Sequence, residues 1–252
     1  ESELDLMTKI ISYQRPKNIE EALSLVCQDK HVPLAGGTQL NANEDTEPLH
    51  LVDLQSLALK GIDRSNGKLK IGSMTTLHEI MKNSDSPDLI RLSSRSELPS
   101  TLRTLATIGG TIASGDSDSQ LIASLLVHDA EVTILKSDGE LSVPLQEVLS
   151  KPELMDSGII LSIDIATDGE SRLEATGRTP ADTPIVAVAT RQCSDGYRMA
   201  ITGVAPTPVL VDPENPTVSL QPASDFRGAS EYRIHLAQIL ASRTLNLLNG
   251  EN

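Results

Sequence analysis

The chain has 252 residues and a formal net charge of −14, from 21 Lys and Arg against 35 Asp and Glu. That acidity argues against non-specific nucleic-acid binding, which relies on concentrated cations. Two isolated cysteines, Cys27 and Cys193, exclude a disulfide framework or a Cys-ligated iron–sulfur cluster, and five dispersed histidines with no HxxxH or HExxH spacing argue against a protein-held catalytic metal.

Apolar residues make up 38% and aromatics only 2%, so the core of this globular chain must be aliphatic. No apolar stretch reaches the ~20 residues of a membrane span, and the acidic opening Glu1 to Asp5 does not read as a signal peptide. A cytoplasmic location is the expectation.

In chain order, Asn18-Ile19-Glu20-Glu21 reads as a cap opening a helix with Ala22, Leu23, Val26 and Cys27 on its face. His31 to Ala35 and His50 to Leu54 read as strands, so the first segment is a small β-α-β-like unit. Leu69 to Met74 predicts a strand, Thr76-x-x-Glu79 a capped short helix, and Pro87 to Leu98 a helix. Ser117 to Gln120 reads as a cap, with Gln120 as its box residue, for a helix carrying Leu121, Ile122, Leu125 and Leu126. Glu131 to Lys136, a turn at Asp138-Gly139, Leu141 to Val143 and Gly158 to Ile165 supply further strands. A boundary is placed near Thr167-Asp168-Gly169. Beyond it Ser171 to Thr176, Ile185 to Gln192 and Tyr197 to Val204 form an antiparallel meander. Five prolines between Ala205 and Pro222 forbid helix there, and Ser230 caps a last amphipathic helix through Ile234, Ala237, Leu240, Leu245 and Leu248.

The chemistry concentrates in two glycine pairs, Pro33-Leu34-Ala35-Gly36-Gly37-Thr38 and Ala106-Thr107-Ile108-Gly109-Gly110-Thr111. Each is read as following a short apolar strand. Successive bare N–H groups at such a turn form a concave nest for an anion, and two nests suit the halves of a pyrophosphate. A dinucleotide is indicated, held without a Walker lysine or a GxGxxG fingerprint.

Tyr13-x-Arg15-Pro16-Lys17, the Glu20-Glu21-Ala22-Leu23 helix, Leu34 to Thr38, Leu51-Val52-Asp53-Leu54, Leu69-Lys70-Ile71-Gly72, Arg103-x-x-Ala106-Thr107-Ile108-Gly109-Gly110 and Gly203 to Pro208 come in one order. Together they resemble the FAD-binding medium subunit of molybdenum hydroxylases, the carbon monoxide dehydrogenase and xanthine dehydrogenase type. The resemblance implies an α+β fold: a vanillyl-alcohol-oxidase (PCMH)-type flavin domain in two subdomains, 1–58 and 59–167, then a C-terminal α+β domain, 168–252, with a three-stranded antiparallel sheet. It implies FAD as cofactor, with Leu34, Ala35, Gly36, Gly37, Thr38, Gln39 and Leu40 on one side and Ala106, Thr107, Ile108, Gly109, Gly110 and Thr111 on the other. Ser114, Gly115, Ser119, Gln120 and Ile160 complete the implied site. The implied partners are a small [2Fe–2S] chain and a large molybdenum-cofactor chain in a heterotrimer, doubled into a dimer of trimers, with electrons leaving the flavin for an external acceptor. The C-terminal domain is expected beside the isoalloxazine ring and the iron–sulfur partner.

Three positions depart from the family pattern. Thr111 stands where Asn is usual, Gln120 where Asp is usual, and Glu174 where a Lys often approaches the flavin, with Arg178 able to replace that charge. These departures keep open a flavin-free structural homologue. A self-contained flavin oxidoreductase is the other alternative, although no Ser, Tyr or His stands in a catalytic setting.

Overall fold

In the computed structural model, residues 10–39, 49–177, 182–218 and 220–251 are described. The sequence expectations for Leu40 and Arg178 lie outside them. Strand β1 (Ile10–Gln14), helix α1 (Ile19–Val26), β2 (His31–Leu34) and β3 (Leu49–Asp53) build a small parallel sheet of order β1-β3-β2. The Asn18 side chain caps α1 by accepting from the Glu21 amide. Ala22 and Val26, four apart on one helical face, then pack on Val52, Leu54, Met74 and Ile159.

The second segment runs β4 (Ile62–Ser65), β5 (Lys68–Gly72), α2 (Leu77–Lys82), α3 (Asp88–Ser96), α4 (Ser100–Arg103), α5 (Ile108–Ser114), α6 (Gln120–Val127), β6 (Glu131–Lys136), β7 (Gly139–Pro144), α7 (Leu145–Ser150) and β8 (Ile159–Ala166). Its strands pair antiparallel in the order β4-β5-β8-β6-β7. Thr76 and Glu79 close the expected capping box at α2.

The third segment holds β9 (Ser171–Thr176), β10 (Val186–Cys193), β11 (Gly196–Ile201), β12 (Val209–Val211) and α8 (Ser230–Leu248). The sheet order is β12-β11-β10-β9, four strands where three were expected. The extra strand is three residues between Pro208 and Pro213, on the edge, where proline is tolerated. Helix α8 starts from Ala229 with no side-chain cap, so Ser230 is not the cap; the Ser230 amide donates to Ser224 Oγ at 2.9 Å.

One helix ties the molecule together. All eight residues of α6 are buried, because the helix lies between the five-stranded sheet and the C-terminal sheet. Leu121, Ile122, Leu125 and Leu126 share one core with Leu69, Ile71, Val132 and Ile163, and with Ala189 and Ala200 of β10 and β11. Apolarity all round a helix is what burial on every side requires. The opposite face of the C-terminal sheet, through Val186, Val188, Met199 and Ile201, packs on Leu236, Ala237, Leu240 and Ala241 of α8.

Two ion-pair groups add to this joint. Arg191 of β10 is 3% exposed and bonds Asp129 and Asp168, and Arg227 reaches Asp118 at 2.5 Å. No helix of the described residues is long and apolar enough to cross a membrane.

Candidate functional site

The two glycine loops meet, and they meet through protein. A Cβ on Gly36 would stand 2.0 Å from the Leu105 carbonyl oxygen, and one on Gly109 would stand 2.9 Å from both Cβ and O of Ser73. Both glycines are therefore required by backbone packing on neighbouring segments, not by a ligand drawing near. The second pair does not follow a strand: Gly109 and Gly110 form the first turn of α5, which Thr107 caps by accepting from the Gly110 amide. Gly is a poor helix former, but the close approach to Ser73 leaves room for nothing larger.

Along the seam lies a groove of two adjoining cavities. The larger, about 580 Å³, is walled by Val32, Pro33 and Ala35 to Gln39 on one side and by Ala106, Thr107, Gly110, Thr111, Ala113 and Ser114 on the other. The second, about 350 Å³, shares Val32, Pro33, Ala35, Gly110 and Ala113 and continues into Leu54, Met74, Gly109, Pro152, Met155 and Ile160. One end of the groove is thus polar and the other largely apolar, with Ser73 and Asp156 as the polar members of its wall.

The two loops differ in what they offer. The amides of Ile108, Gly109, Gly110 and Thr111 already donate to Thr75 O (3.0 Å), Ser73 O (2.9 Å), Thr107 Oγ1 (3.1 Å) and Thr107 O (2.9 Å). The second pair is therefore not the open nest that its sequence suggests. The hydroxyls behind it are engaged too: Thr111 Oγ1 donates to Thr107 O at 3.1 Å and Ser114 Oγ to Thr111 O at 2.8 Å. By contrast, the amides of Gly36, Gly37 and Thr38 find no acceptor among the described residues. Gly37 has φ +70°, the left-handed conformation that turns successive N–H groups to one side.

The implied residues separate accordingly. Ala35, Gly36, Gly37, Thr38, Gln39, Ala106, Thr107, Gly109, Gly110, Thr111, Ser114 and Ile160 line the groove. Leu34, Ile108, Gly115, Ser119 and Gln120 do not. Ile108 is fully buried in the main core, and Gly115, at φ +58°, ends α5 as its C-cap. Ser119 is the N-cap of α6, and Gln120 opens that helix rather than closing a capping box; its Oε1 accepts from Ser96 Oγ at 3.4 Å.

The carboxylate at this helix start comes instead from Glu97, which sequence reading passed over. Glu97 Oε1 accepts from Ser119 Oγ at 2.5 Å and Oε2 from the Leu121 amide at 3.0 Å, and the residue lines the polar cavity. Burial, opposed by these hydrogen bonds and reinforced by nearby Asp116, pushes its carboxyl up to about 7. Glu97 and Asp116 are the only charged side chains on the wall of the larger cavity among the described residues, so no cation faces a ligand there.

Glu174 is turned to other business. It pairs with Arg243 of α8 at 3.6 Å and lines neither cavity. Nor does any described residue beyond Ile160 line them, so the C-terminal sheet does not wall the groove as expected.

The groove offers amides with no acceptor among the described residues at a left-handed glycine, and a largely apolar slot beside them. Comparison with known proteins shows the family. Residues 8–167 match the family model described as the FAD binding domain in molybdopterin dehydrogenase. The chain is 29% identical over 250 residues to Uncharacterized protein YgfM of Escherichia coli K12, covering 92% of this chain and 94% of that one. It is 26% identical over 272 residues to the carbon monoxide dehydrogenase medium chain of Afipia carboxidovorans, covering 92% and 94%. Among solved structures, the carbon monoxide dehydrogenase of Hydrogenophaga pseudoflava superposes with a TM-score of 0.85 at 22% identity, covering 93% of this chain and 96% of that one. Quinoline 2-oxidoreductase of Pseudomonas putida 86 gives 0.84 at 20% identity, with 95% and 97% covered; both show the fold. The chain belongs to the family of FAD-binding subunits of molybdenum hydroxylases, the molybdopterin dehydrogenases.

Proposed function

We propose that this chain binds FAD in the seam groove and serves as the electron-transfer subunit of a molybdenum hydroxylase. The observation that carries the reading is the set of amides at Gly36, Gly37 and Thr38 with no acceptor among the described residues, on the wall of a polar cavity that opens into a largely apolar slot. In this reading those amides hold the diphosphate, and Gly110, which has no side chain on the facing wall, lets it lie close to α5. Ala35, Leu54, Met74, Met155 and Ile160 enclose an apolar ring of the ligand and keep water from it. When bound, FAD supplies the two-electron centre between an upstream donor and an external acceptor.

In this reading the groove residues bind and orient the ligand. The oxidation of the organic substrate is carried by partner chains, a small [2Fe–2S] subunit and a large molybdenum-cofactor subunit. The assembly is a heterotrimer, doubled into a dimer of trimers. Titrating flavin-stripped chain with FAD, FMN and ADP tests the reading. One FAD per chain, held more tightly than FMN because both halves of the groove are used, supports it. A chain that takes up no FAD contradicts it, and favours the flavin-free structural homologue for which Glu97 and Asp116 on the cavity wall are the specific argument.

A further inference from the structure

On the far side of the segment that carries Glu97 lies a second concavity of opposite character. It measures about 560 Å³ and is lined by Met81 and Lys82 at the end of α2, by Asp88, Arg91, Leu92 and Arg95 of α3, and by Arg103 of α4. Four cations and one carboxylate converge there, in a chain whose net charge is −14. Residues 95–106 thus form a partition, with Glu97, Leu98 and Ala106 on the acidic groove and Arg95 and Arg103 on the basic one.

Only one of the four cations has an ion pair among the described residues. Asp88 engages Arg91 alone, at 3.1 Å, and neither Lys82 nor Arg95 has an ion pair among the described residues. Arg103 is fixed in place by the carbonyls of Arg95 (2.5 Å) and Leu98 (2.8 Å) through Nη1, while its Nε is buried without any hydrogen-bond partner. That anchoring holds the guanidinium at the cavity wall, and hydrogen bonds from such a charged donor to an oxyanion are among the strong ones. Gathering like charges in a concavity also focuses the field on whatever enters it. Met81 and the 49% exposed Leu92 add an apolar wall beside the charges.

We propose that this cavity is a binding site for a small polyanion bearing an oligophosphate, as in a nucleoside di- or triphosphate. The guanidinium groups take the phosphate oxygens, and Met81 and Leu92 receive the apolar body of the ligand. The site is separate from the seam groove and does not rest on the FAD reading.

Calorimetric titrations at low salt test it, with inorganic tripolyphosphate, ATP and poly-L-glutamate as probes, on the full chain and on Arg95→Glu and Lys82→Glu/Arg95→Glu variants. Both side chains are exposed and outside the seam groove, and an unchanged thermal transition certifies the fold. Expected is one tripolyphosphate per chain, weakened at least about tenfold by Arg95→Glu and further in the double variant, with affinity falling as salt is added. Tighter binding of ATP than of tripolyphosphate identifies a nucleotide as the source; equal binding identifies free polyphosphate. Absence of binding overturns the proposal, as does binding that both variants leave unchanged, which would put the anion at the glycine loops. Binding of poly-L-glutamate alone overturns it in favour of an acidic protein surface.

Discussion

Glu97 stands between the groove and the first turn of α6, holding Ser119 and the Leu121 amide while it faces the cavity. Its carboxyl titrates at about 7 because burial disfavours the charged form, with Asp116 adding repulsion. An ionised Glu97 repels a diphosphate on the opposite wall and a protonated one does not. FAD affinity is therefore expected to be flat below about pH 7 and to fall above it, by up to ~10-fold per pH unit in the limit of full coupling. Glu97→Gln should flatten that profile, which fluorescence titrations from pH 6 to 9 would read; an identical slope in the variant contradicts the assignment. Stability follows the same sign. The folded carboxyl keeps a proton that an unfolded Glu, near 4.5, has lost, so this contribution is intact at low pH and is lost as pH rises toward 7. His128 opposes it: burial lowers that imidazole to about 4, so its contribution is present above 6.5 and lost as pH falls toward 4. His128→Gln should thus flatten the acid limb of a melting-temperature profile. At this scale the glycines were legible, since few other residues tolerate such turns and close approaches. The role of Glu97 was not, because it caps a helix more than twenty residues further along the chain and no local pattern records that.

Helix α6 shares one core with two sheets, so the segments on either side of Thr167 are not independent folding units. Removing side-chain volume there should unsettle both. Leu125→Ala, at a fully buried position, is expected to cost about 2–5 kcal/mol, with one cooperative transition seen by probes at Tyr13 and Tyr197 alike. Two separated transitions would show that the C-terminal sheet folds alone. Truncation after Arg227 removes α8 and bares Val186, Val188, Met199 and Ile201; the product should aggregate, and a dispersed, flavin-loaded truncation would contradict the packing. Most of these elements follow from sequence. Apolar residues of α1 recur at helical spacing, and the first half of β10, Val186 to Ala189, is an unbroken apolar run because both its faces are buried. The errors have local causes. Helix α5 contains two glycines that helix propensity argues against, and β12 is three residues held on an edge by pairing with β11 alone.

Across the whole molecule, the order of motifs from Tyr13 to Pro208 announced the family; the matching family model agrees with it, and the superposition agrees with the fold. What could not be read was how the loops divide their work. Both glycine pairs look alike in sequence, yet the amides of one are bonded to a carbonyl and a hydroxyl of the protein while those of the other find no acceptor among the described residues, because only the chain partners of each amide decide that. The central claim is that FAD lies in the seam with its diphosphate on the first loop. Isotope-edited NMR of the amide groups during an FAD titration tests this most directly. The account predicts saturable shifts at Gly36, Gly37 and Thr38, larger than those at Ile108 and Gly109, whose amides are already bonded to Thr75 and Ser73. Flavin uptake with the first-loop amides unmoved, or with the shifts confined to the second loop, would contradict it.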